Sequence, residues 1–413
     1  MSRAVDVLVI GAGPAGLASA LELRRRGVRD VLVLDRERSA GGAPRSLGHL
    51  GFGMRDLRKV LSGPAYARSY SELADKAGLE VQLETTATAW TGPTTLTTTS
   101  AAGLSEIEAG AVVLATGCRE RPRSARLVPG SRPLGVLTTG ALQRSVTMYR
   151  QPVGKRAVVV GAEHVSFAAA LSLAEAGATG TTLVTEHPVD QTYPWLRFAV
   201  AARTGCQVLT STRVTDVIGR HRVESVEVMY LPSGRRRRIA CDTLVFSGEW
   251  IPEHELARLG GLQMDSGTRG PSIDLAQRTS ARGVFAAGNM LHAAQMADQA
   301  ALCGRYVAEP VVEFLRTGSW PDQPGVSLRC EPPVAWISPD RVGPEESARL
   351  PHGSFVLRVS EVLERPRLEV VQGRTVVWAK CFKRLRPGLP LYIPGALAAR
   401  LRQDGGPATV RIV

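Results

Sequence analysis

The chain has 413 residues, of which 44 % are hydrophobic and 22 % are charged. At about 150 residues per domain this length predicts two or three domains, and the composition excludes a largely disordered chain. No stretch reaches the roughly 18 uncharged apolar residues that a membrane-spanning helix requires. We therefore expect a folded multidomain protein without a membrane span.

The formal net charge is +13, from 51 basic and 38 acidic residues. Nearly all of the basic residues are arginine and they occur in every segment, which indicates a composition bias and no nucleic-acid partner. The densest run, Arg235–Arg238, follows the turn Pro232-Ser233-Gly234. This run predicts the return strand of an exposed hairpin. The alternative is that its positive charges form a binding surface for an acidic partner.

Six cysteines are scattered along the chain, and none has a C-x-x-C or other metal-ligand spacing. Isolated cysteines are typical of small buried side chains in a reducing compartment. The apolar run at the N-terminus leads directly into a glycine motif, which indicates a buried strand instead of a signal peptide. We therefore expect a cytoplasmic location and no bound metal.

A dinucleotide-binding βαβ unit is predicted at the start of the chain. The apolar strand Val5–Ile10 leads into G-x-G-x-x-G and a helix that closes on Arg24-Arg25-Arg26 and Gly27. The strand Val31–Leu34 then ends at an acid about 20 residues after the last glycine, where a ribose ligand is expected. The candidate cofactor-binding residues of this unit are Gly11, Gly13, Pro14, Ala15, Gly16, Asp35 and Arg36.

Three further segments resemble the FAD-binding domain of the glutathione reductase and thioredoxin reductase superfamily. They are Gly41-Gly42, the run Ala111–Gly117 that ends in A-T-G, and the run Gly283–Asn289. The resemblance spans roughly residues 3 to 320 and implies FAD as the cofactor. It adds Gly42, Thr116, Gly117, Gly288 and Asn289 to the expected FAD-binding residues.

Asn289 departs from this resemblance, because the superfamily has Asp at its position. Asn still hydrogen-bonds a ribityl hydroxyl but carries no charge, so we expect FAD binding to persist. The segment Gln295–Ala308 is predicted to be a helix. The resemblance implies that its N-terminus, with Met296 and Ala297, faces the flavin pyrimidine ring and stabilises the negative charge of the reduced flavin.

A second βαβ unit occupies the place of the NAD(P)H-binding domain in that superfamily. The strand Ala157–Val160 is followed by an altered glycine motif, an alanine-rich helix to Gly177 and the strand Thr182–Thr185. The frame of a Rossmann-like domain is therefore complete.

The glycine motif of this second unit has lost two of its three glycines. Glu163 replaces the glycine beside the pyrophosphate, and Ser166 replaces the glycine that packs helix on strand. A carboxylate repels a diphosphate and its side chain fills the approach. We expect a retained fold with weak or no nicotinamide binding, and Glu186 would favour NAD(H) if a nicotinamide did bind.

A redox-active disulfide is not expected. The positions of the C-x-x-x-x-C pair in the glutathione reductase branch are Pro44 and His49 here, and the C-x-x-C of thioredoxin reductases is absent. His49 would then lie over the isoalloxazine ring as a general base or a carboxylate ligand. A loop histidine that only hydrogen-bonds the backbone is the alternative, and Arg45 and Arg55 are candidate clamps for an anionic substrate.

A closer resemblance is carried by Gly117–Pro122 (GCRERP), Pro129-Gly130 and Gly135–Gln143. These segments resemble the FAD subunits of amine and amino-acid dehydrogenases and opine oxidases, and the related domain of sarcosine oxidase α chains. Such proteins take two electrons from a C–N bond or relay electrons within a heteromeric complex. The resemblance implies a small-molecule substrate and a partner subunit or electron-acceptor protein.

The C-terminal segment departs from this group, whose opine-oxidase members end in a cysteine-rich iron–sulfur segment. Beyond residue 325 this chain has only Cys330 and Cys381, too few for a cluster. The segment instead reads as a small β domain, with strands expected at 355–359, 367–371, 375–379, 390–393 and 408–413. Proline-rich joints from Trp320-Pro321 to Pro332-Pro333 mark its boundary.

The sequence thus predicts an α/β fold with two Rossmann-like dinucleotide-binding domains and a C-terminal β-rich domain. The FAD-binding domain is expected at 1–120 and 275–320, the inserted NAD(P)-type domain at 121–274, and the β-rich domain at 325–413.

The function expected is FAD-dependent dehydrogenation of an amine or amino-acid-type substrate by hydride transfer to flavin, with a non-nicotinamide acceptor. Two alternatives stay open: an NADH-dependent flavin reductase or monooxygenase, and an FAD-containing electron-relay subunit.

Overall fold

The computed structural model describes residues 2–293, 295–322, 325–343 and 350–413. In these ranges two domains built on parallel sheets are followed by a β-rich C-terminal domain. The predicted fold class is confirmed.

The first domain is a parallel sheet extended by an antiparallel meander. Its first part comprises β1 Ser2–Ile10, α1 Pro14–Arg25, β2 Val31–Leu34, β3 Leu50–Phe52, β4 Leu61–Ser62, α2 Gly63–Lys76, β5 Glu80–Gln82, β6 Thr86–Trp90, β7 Thr95–Ser100, β8 Gly103–Leu114 and β9 Cys118–Glu120. The sheet order is β5-β2-β1-β8-β7-β6. All four residues of β2 are buried, as the apolar run predicts for a strand covered on both faces.

The second domain repeats the parallel arrangement. It comprises β10 Val136–Thr138, α3 Thr139–Gln143, β11 Arg156–Val160, α4 His164–Glu175, β12 Gly180–Val184, α5 Pro194–Thr204, β13 Gln207–Leu209, β14 Thr212–Ile218, β15 Ser225–Tyr230, β16 Arg235–Ala240, β17 Thr243–Phe246 and β18 Trp250–Pro252. The parallel sheet order is β10-β17-β11-β12-β13. The run Arg235–Arg238 lies on β16, the exposed return strand of a hairpin, as predicted.

The chain returns to the first domain earlier than residue 275. Strand β18 pairs with β9, so the chain passes back beside the segment by which it left the first domain. Helix α6 Glu255–Leu259 follows. Leu256, Ala257 and Ile273 are buried in the first domain's core. The chain therefore re-enters the first domain at β18. From sequence, this stretch was assigned to the second domain, because a sequence pattern does not show which core an apolar residue joins.

Two further elements complete the first domain. β19 Val284–Ala286 pairs in parallel with the end of β8, and α7 Ala297–Thr317 packs on α1. The predicted helix starts two residues earlier and ends at Ala308, whereas α7 continues through Pro310. Its buried face, which includes Val311, packs on the same core. The stabilisation from this burial offsets the loss of the backbone hydrogen bond that proline cannot donate.

The described part of the C-terminal domain contains three small sheets around its own core. Its strands are β20 Val326–Cys330, β21 Val334–Ser338, β22 Arg341–Val342, β23 Ser354–Val359, β24 Leu363–Glu364, β25 Arg367–Gln372, β26 Thr375–Cys381, β27 Arg384–Leu385, β28 Leu391–Pro394 and β29 Ala408–Ile412. Phe355, Leu357, Leu368 and Ile393 are fully buried in this core. The five predicted strands are present as β23, β25, β26, β28 and β29, and the other five described strands are additional. No helix of the described ranges is long and apolar enough to cross a membrane.

Candidate functional site

The first glycine motif forms a cradle whose walls lack side chains. Gly11 has φ +110° and a Cβ there would lie against the backbone of Ala115. A Cβ on Gly16 would overlap the carbonyl oxygen of Gly11, so only glycine allows α1 to approach β1 this closely. A Cβ on Gly42 would lie 2.8 Å from the Cα of Gly13. The two glycines therefore face each other and border a passage at the N-terminus of α1.

Asp35 stands at the rim of this cradle, at the end of β2. Its Oδ2 accepts a hydrogen bond from the backbone N of Ala12 at 2.7 Å, and its Oδ1 accepts one from Glu37 N at 2.8 Å. These bonds orient the carboxylate beside the passage, as expected for a ribose ligand. Arg36 points to solvent and pairs with Glu253 at 3.4 Å, so its predicted cofactor role rests on its position alone.

The A-T-G and A-A-G-N segments reach the same place from the other strands. A Cβ on Gly288 would lie 2.5 Å from the Cβ of Ala15. Thr116 Oγ1 donates to the carbonyl oxygen of Glu253 at 2.8 Å. Asn289 Oδ1 accepts a hydrogen bond from Gln295 N at 2.9 Å. These contacts bring the predicted residues of three separate segments together around the start of α1.

Helix α7 begins beside this cradle. Its N-cap residue Met296 provides no side-chain hydrogen bond, whereas Asp298 Oδ1 accepts one from the backbone N of Gln299 at 2.8 Å. The positive end of the helix therefore already holds one carboxylate of the protein. Asp298 is 1 % exposed, and burial raises the pKa of its carboxyl. Backbone from residue 55 donates to it at 3.3 Å.

The cradle fits FAD. Paired glycines leave room for a pyrophosphate, an oriented acid can bind a ribose, and a helix N-terminus can face a ring system that becomes negatively charged on reduction. Met296 and Ala297, the predicted flavin-facing residues, are the first residues of α7.

His49 lies in the loop that follows Gly42. It is partly exposed, its Nδ1 is 2.9 Å from the carbonyl oxygen of Leu50, and its ring centre is 5.2 Å from that of Phe52. Because a carbonyl oxygen only accepts hydrogen bonds, Nδ1 carries the proton and Nε2 of the neutral ring keeps a lone pair. The backbone contact foreseen for an ordinary loop histidine is therefore present, and it leaves Nε2 able to accept a proton.

The two arginines considered as substrate clamps have internal partners. Arg45 donates to the carbonyl oxygen of Gly42 at 3.2 Å and pairs with Glu37 at 3.3 Å, which holds the glycine pair in place. Arg55 contributes its backbone N–H to Asp298. The described contacts of both residues hold their loops in position.

The second glycine motif is closed by its own side chains. Glu163 is the N-cap residue of α4, where its carboxylate accepts a hydrogen bond from the N–H of Ser166. The Oγ of Ser166 accepts one from Glu163 N at 3.2 Å and donates to Ser247 Oγ at 3.0 Å. A Cβ on Gly248 would lie 2.5 Å from Oε1 of Glu163. A carboxylate of the protein therefore occupies the helix terminus that would otherwise attract a pyrophosphate.

The C-terminal domain adds a cover to this second crevice. A Cβ on Gly388 would lie 3.1 Å from Gln191 Cβ and 3.6 Å from Glu163 Cγ. Arg386 donates to the carbonyl oxygen of Thr192 at 3.4 Å and lies 3.8 Å from Asp190. The loop around residues 386–388 thus packs on the altered glycine motif.

The remaining polar residues of the second unit are also engaged. Glu186, the predicted ribose acid, forms an ion pair with Arg213 at 2.6 Å. His164 Nδ1 lies 3.2 Å from Thr192 Oγ1, and burial lowers the pKa of its imidazole. Both contacts are those expected of a structural βαβ unit and add nothing that would bind a nicotinamide.

No disulfide joins any of the six cysteines, all of which lie in the described ranges. Burial raises the pKa of the Cys303 thiol to about 11, which makes it a packing residue. In the described ranges no group of three or more His, Cys, Asp or Glu side chains is arranged to hold a metal ion.

Sequence reasoning missed three residues at the meeting point of the domains, all from the C-terminal domain: Trp336, Arg358 and Tyr392. Arg358 interrupts the otherwise apolar strand β23, a pattern that was visible in the sequence. Its location against the second glycine motif depends on contacts between distant segments and was not.

Known proteins match long stretches of this chain. Residues 5–304 match the family model described as pyridine nucleotide-disulphide oxidoreductase. The chain is 30% identical over 320 residues to an opine oxidase subunit of Agrobacterium tumefaciens (strain Ach5), covering 70% of this chain and 62% of that protein. It is 29% identical over 269 residues to the alpha subunit of sarcosine oxidase from Corynebacterium sp. (strain P-1), covering 60% of this chain and 26% of that protein.

Two other matches cover whole proteins. The chain is 28% identical over 326 residues to ferredoxin–NADP reductase of Ignicoccus hospitalis, covering 76% of this chain and 99% of that protein. The solved structure of T. acidophilum thioredoxin reductase superposes with a TM-score of 0.65 at 20% identity, over 76% of this chain and 100% of that one. At that identity the likeness shows the fold.

The chain spans 62% and 58% of the length of the two opine oxidase subunits that it matches. The family match, in contrast, covers both glycine motifs and the A-T-G segment. The chain belongs to the pyridine nucleotide-disulphide oxidoreductase family.

Proposed function

We propose that the chain oxidises an amine or amino-acid-type substrate and passes the electrons to an acceptor other than a nicotinamide. The contrast between the two glycine motifs carries this proposal. Gly13 and Gly42 place no side chain at the N-terminus of α1, whereas Glu163 caps its own helix and the loop around Gly388 packs over it. Relatives named as opine and sarcosine oxidase subunits support the substrate class.

Bound FAD would supply the redox chemistry: it accepts a hydride, which carries both electrons, from the carbon of a C–N bond while the nitrogen loses a proton. The chain's own residues would supply binding. Gly13, Gly42 and Asp35 would hold the dinucleotide, and the N-terminus of α7 would face the flavin.

His49 is proposed to accept the proton of the substrate nitrogen. Its Nδ1–H is held by the Leu50 carbonyl oxygen, which leaves Nε2 as the basic atom. The loop that carries it follows directly on the glycine pair of the cradle, so the imidazole lies on an element fixed by Gly42.

Replacement of His49 tests this role. We expect His49→Gln to slow flavin reduction by an amine substrate about 100-fold, the contribution typical of a general base, with unchanged FAD content. An equal rate in rapid-mixing measurements would assign His49 to the loop alone.

Anaerobic reduction with a small amine panel tests the proposed reaction. We expect at least one of sarcosine, L-proline and octopine to bleach the visible flavin bands of the FAD-loaded protein. An artificial dye should then reoxidise the flavin, while added NAD⁺ should yield no NADH. Reduction by NADH together with no response to any amine would favour the reductase alternative.

A second candidate is an electron-relay subunit, which the names of the relatives favour because several are subunits of larger enzymes. In that case the isolated chain would bind FAD but react with no amine, and amine oxidation would appear only after a partner subunit is added. Activity of the isolated chain would exclude this candidate.

A further inference from the structure

An exposed surface of apolar and cationic side chains lies on the hairpin that β3 and β4 form in the first domain. Leu50 is 69 % exposed, Met54 is 49 % exposed and Val60 is 64 % exposed. The same hairpin exposes three cationic residues: Arg55, Arg58 and Lys59. These six residues are called the β3–β4 surface below.

Other residues of the hairpin anchor it to the first domain. Phe52 is buried in the core of that domain, and Leu57 packs against the same core. The backbone N–H groups of Leu57 and Lys59 both donate to the carbonyl oxygen of Gly53, at 3.1 and 3.0 Å. The hairpin is therefore packed and hydrogen-bonded internally, and it leaves a second set of apolar side chains in solvent. An exposed apolar cluster among polar residues is typical of a protein interaction site.

The charge of this surface is positive and uncompensated. Within the described part of the chain, no carboxylate forms an ion pair with Arg58 or Lys59. The only acid of the hairpin, Asp56, is engaged internally, because its Oδ2 accepts hydrogen bonds from the hydroxyls of Tyr66 at 2.5 Å and Tyr70 at 2.7 Å. The β3–β4 surface therefore attracts an acidic molecule.

The hairpin also contacts the start of α7, which borders the FAD cradle. The backbone N of Arg55 donates to Asp298 Oδ2 in the first turn of α7 at 3.3 Å. Arg305, further along α7, donates to the carbonyl oxygen of Asp56 at 3.3 Å. A protein bound on the β3–β4 surface would therefore lie beside the edge of the cradle at which α7 begins.

Charge complementarity selects the kind of partner that fits this surface. A second copy of the chain is disfavoured, because each copy has a net charge of +13 and a symmetric contact would bring the same cations together. A protein with apolar side chains inside a rim of carboxylates is complementary to the surface in both respects. The partner that fits is therefore an acidic protein.

We propose that the β3–β4 surface binds an acidic electron-carrier protein, which accepts the electrons of substrate oxidation. The inference rests on the proposed function and names the class of its acceptor. A substrate molecule that loses the hydrogens of its C–H and N–H bonds releases two electrons and two protons. Two molecules of a one-electron carrier each gain one of these electrons, and the two protons pass to water.

Electron transfer from photoreduced protein tests the inference without an amine substrate. The FAD-loaded protein is reduced with light and EDTA and is then mixed anaerobically with one of two one-electron carriers. These are the acidic copper protein plastocyanin and the basic haem protein cytochrome c. We expect high salt, which screens charges beyond about 3 Å at 1 M, to slow the reduction of plastocyanin about 10-fold or more and to accelerate that of cytochrome c. The same salt response for both carriers would overturn the inference.

Charge reversal locates the effect on the molecule. At low salt the double variant Arg58→Glu/Lys59→Glu should reduce plastocyanin about 10-fold more slowly than the wild type. The matched control is Arg235→Glu/Arg237→Glu, which makes the same change in net charge on the exposed strand β16 of the second domain and should keep most of the wild-type rate. Thermal unfolding shows that each variant is folded. Equal slowing in both double variants would overturn the inference, since it would assign the effect to net charge.

A binding measurement tests the apolar part of the surface. Reduced plastocyanin, which cannot accept an electron, is titrated into the oxidised protein by calorimetry. We expect Val60→Ser to weaken binding about 5-fold, because it removes apolar area that the partner would cover. Equal affinity for the wild type and this variant would contradict a role for the apolar residues.

Light scattering and sedimentation with phosphatidylglycerol vesicles test the other occupants. We expect Arg58→Glu/Lys59→Glu to change neither the mass of the wild-type protein in solution nor its sedimentation with the vesicles. A dimer that this variant dissociates would make the surface an interface between copies, and vesicle binding that it abolishes would make it a membrane contact. Either result would overturn the inference.

The inference and the proposed function fail separately. If no amine reduces the flavin while photoreduced protein still reduces plastocyanin through Arg58 and Lys59, the proposed reaction fails and the carrier site remains. If an amine bleaches the flavin and the charge-reversed hairpin reduces plastocyanin at the wild-type rate, amine oxidation stands and the carrier site fails.

Discussion

Gly13→Ala is expected to weaken FAD binding about 100-fold. The added methyl group would project from the backbone beside the N-terminus of α1, where the cofactor's pyrophosphate must lie close to the chain. Overfilling a closely packed site costs about 3 kcal/mol, which corresponds to that factor. The measurement is the dissociation constant of FAD by fluorescence quenching on protein stripped of cofactor.

The stability of the cofactor-free protein should change little in this variant. Gly13 has φ −82° and ψ −175°, a conformation open to alanine, and a Cβ there would lie 3.8 Å from its nearest neighbour, the Cα of Gly42. Loss of a glycine N-cap costs at most about 1 kcal/mol. Gly180→Ala, at an exposed strand end, is the control. Undiminished FAD affinity in Gly13→Ala would contradict the location of the cradle.

Gly304→Ala is expected to lower the free energy of unfolding by about 2 kcal/mol. A Cβ at this position would overlap the carbonyl oxygen of Ala15, so α7 would have to move away from α1. The overpacking cost of about 3 kcal/mol exceeds the roughly 1 kcal/mol that alanine gains over glycine within a helix. Urea unfolding of the cofactor-free protein measures the difference.

The same substitution should weaken FAD binding, because α1 and the start of α7 border the cradle. Gly288 packs on Ala15 as well, so a displaced α7 also disturbs the A-A-G-N segment. A Gly304→Ala protein of unchanged stability would show that the two helices are less closely packed than these contacts require.

The FAD cradle was predictable because its residues are set by local geometry. Gly11, Gly13 and Gly16 are fixed by one turn, and Asp35 follows at the spacing that a βαβ unit imposes. The altered second motif was predictable as well, because the position of Glu163 in the motif places a carboxylate at the helix N-terminus whichever residues surround it.

The cover over the second motif was not predictable from such patterns. Gly388 and Arg386 lie about 200 residues from the segment they contact, and only the packing of three domains brings them there. For the same reason the sequence drew attention to His49 and left Arg358 unnoticed, although an arginine between buried strand residues is costly and therefore informative.

The sequence predicted the individual strands better than it predicted the limits of the domains. β2 was located from its apolar run, and the hairpin strand with Arg235 was located from the turn residues that precede it. The stretch 255–274 was grouped with the second domain, yet Leu256 and Ile273 are buried in the first core. Sequence order gives no signal for which of two cores takes an apolar residue.

The absorbance spectrum of the FAD-loaded protein under anaerobic titration with NADH, then NADPH, tests the central claim most directly. The closed second motif predicts that the visible flavin bands persist with both nucleotides at millimolar concentration and bleach after a reactive amine is added. Bleaching by NADH or NADPH would contradict the account, because it would require a nicotinamide to enter the crevice that Glu163 and the C-terminal domain fill.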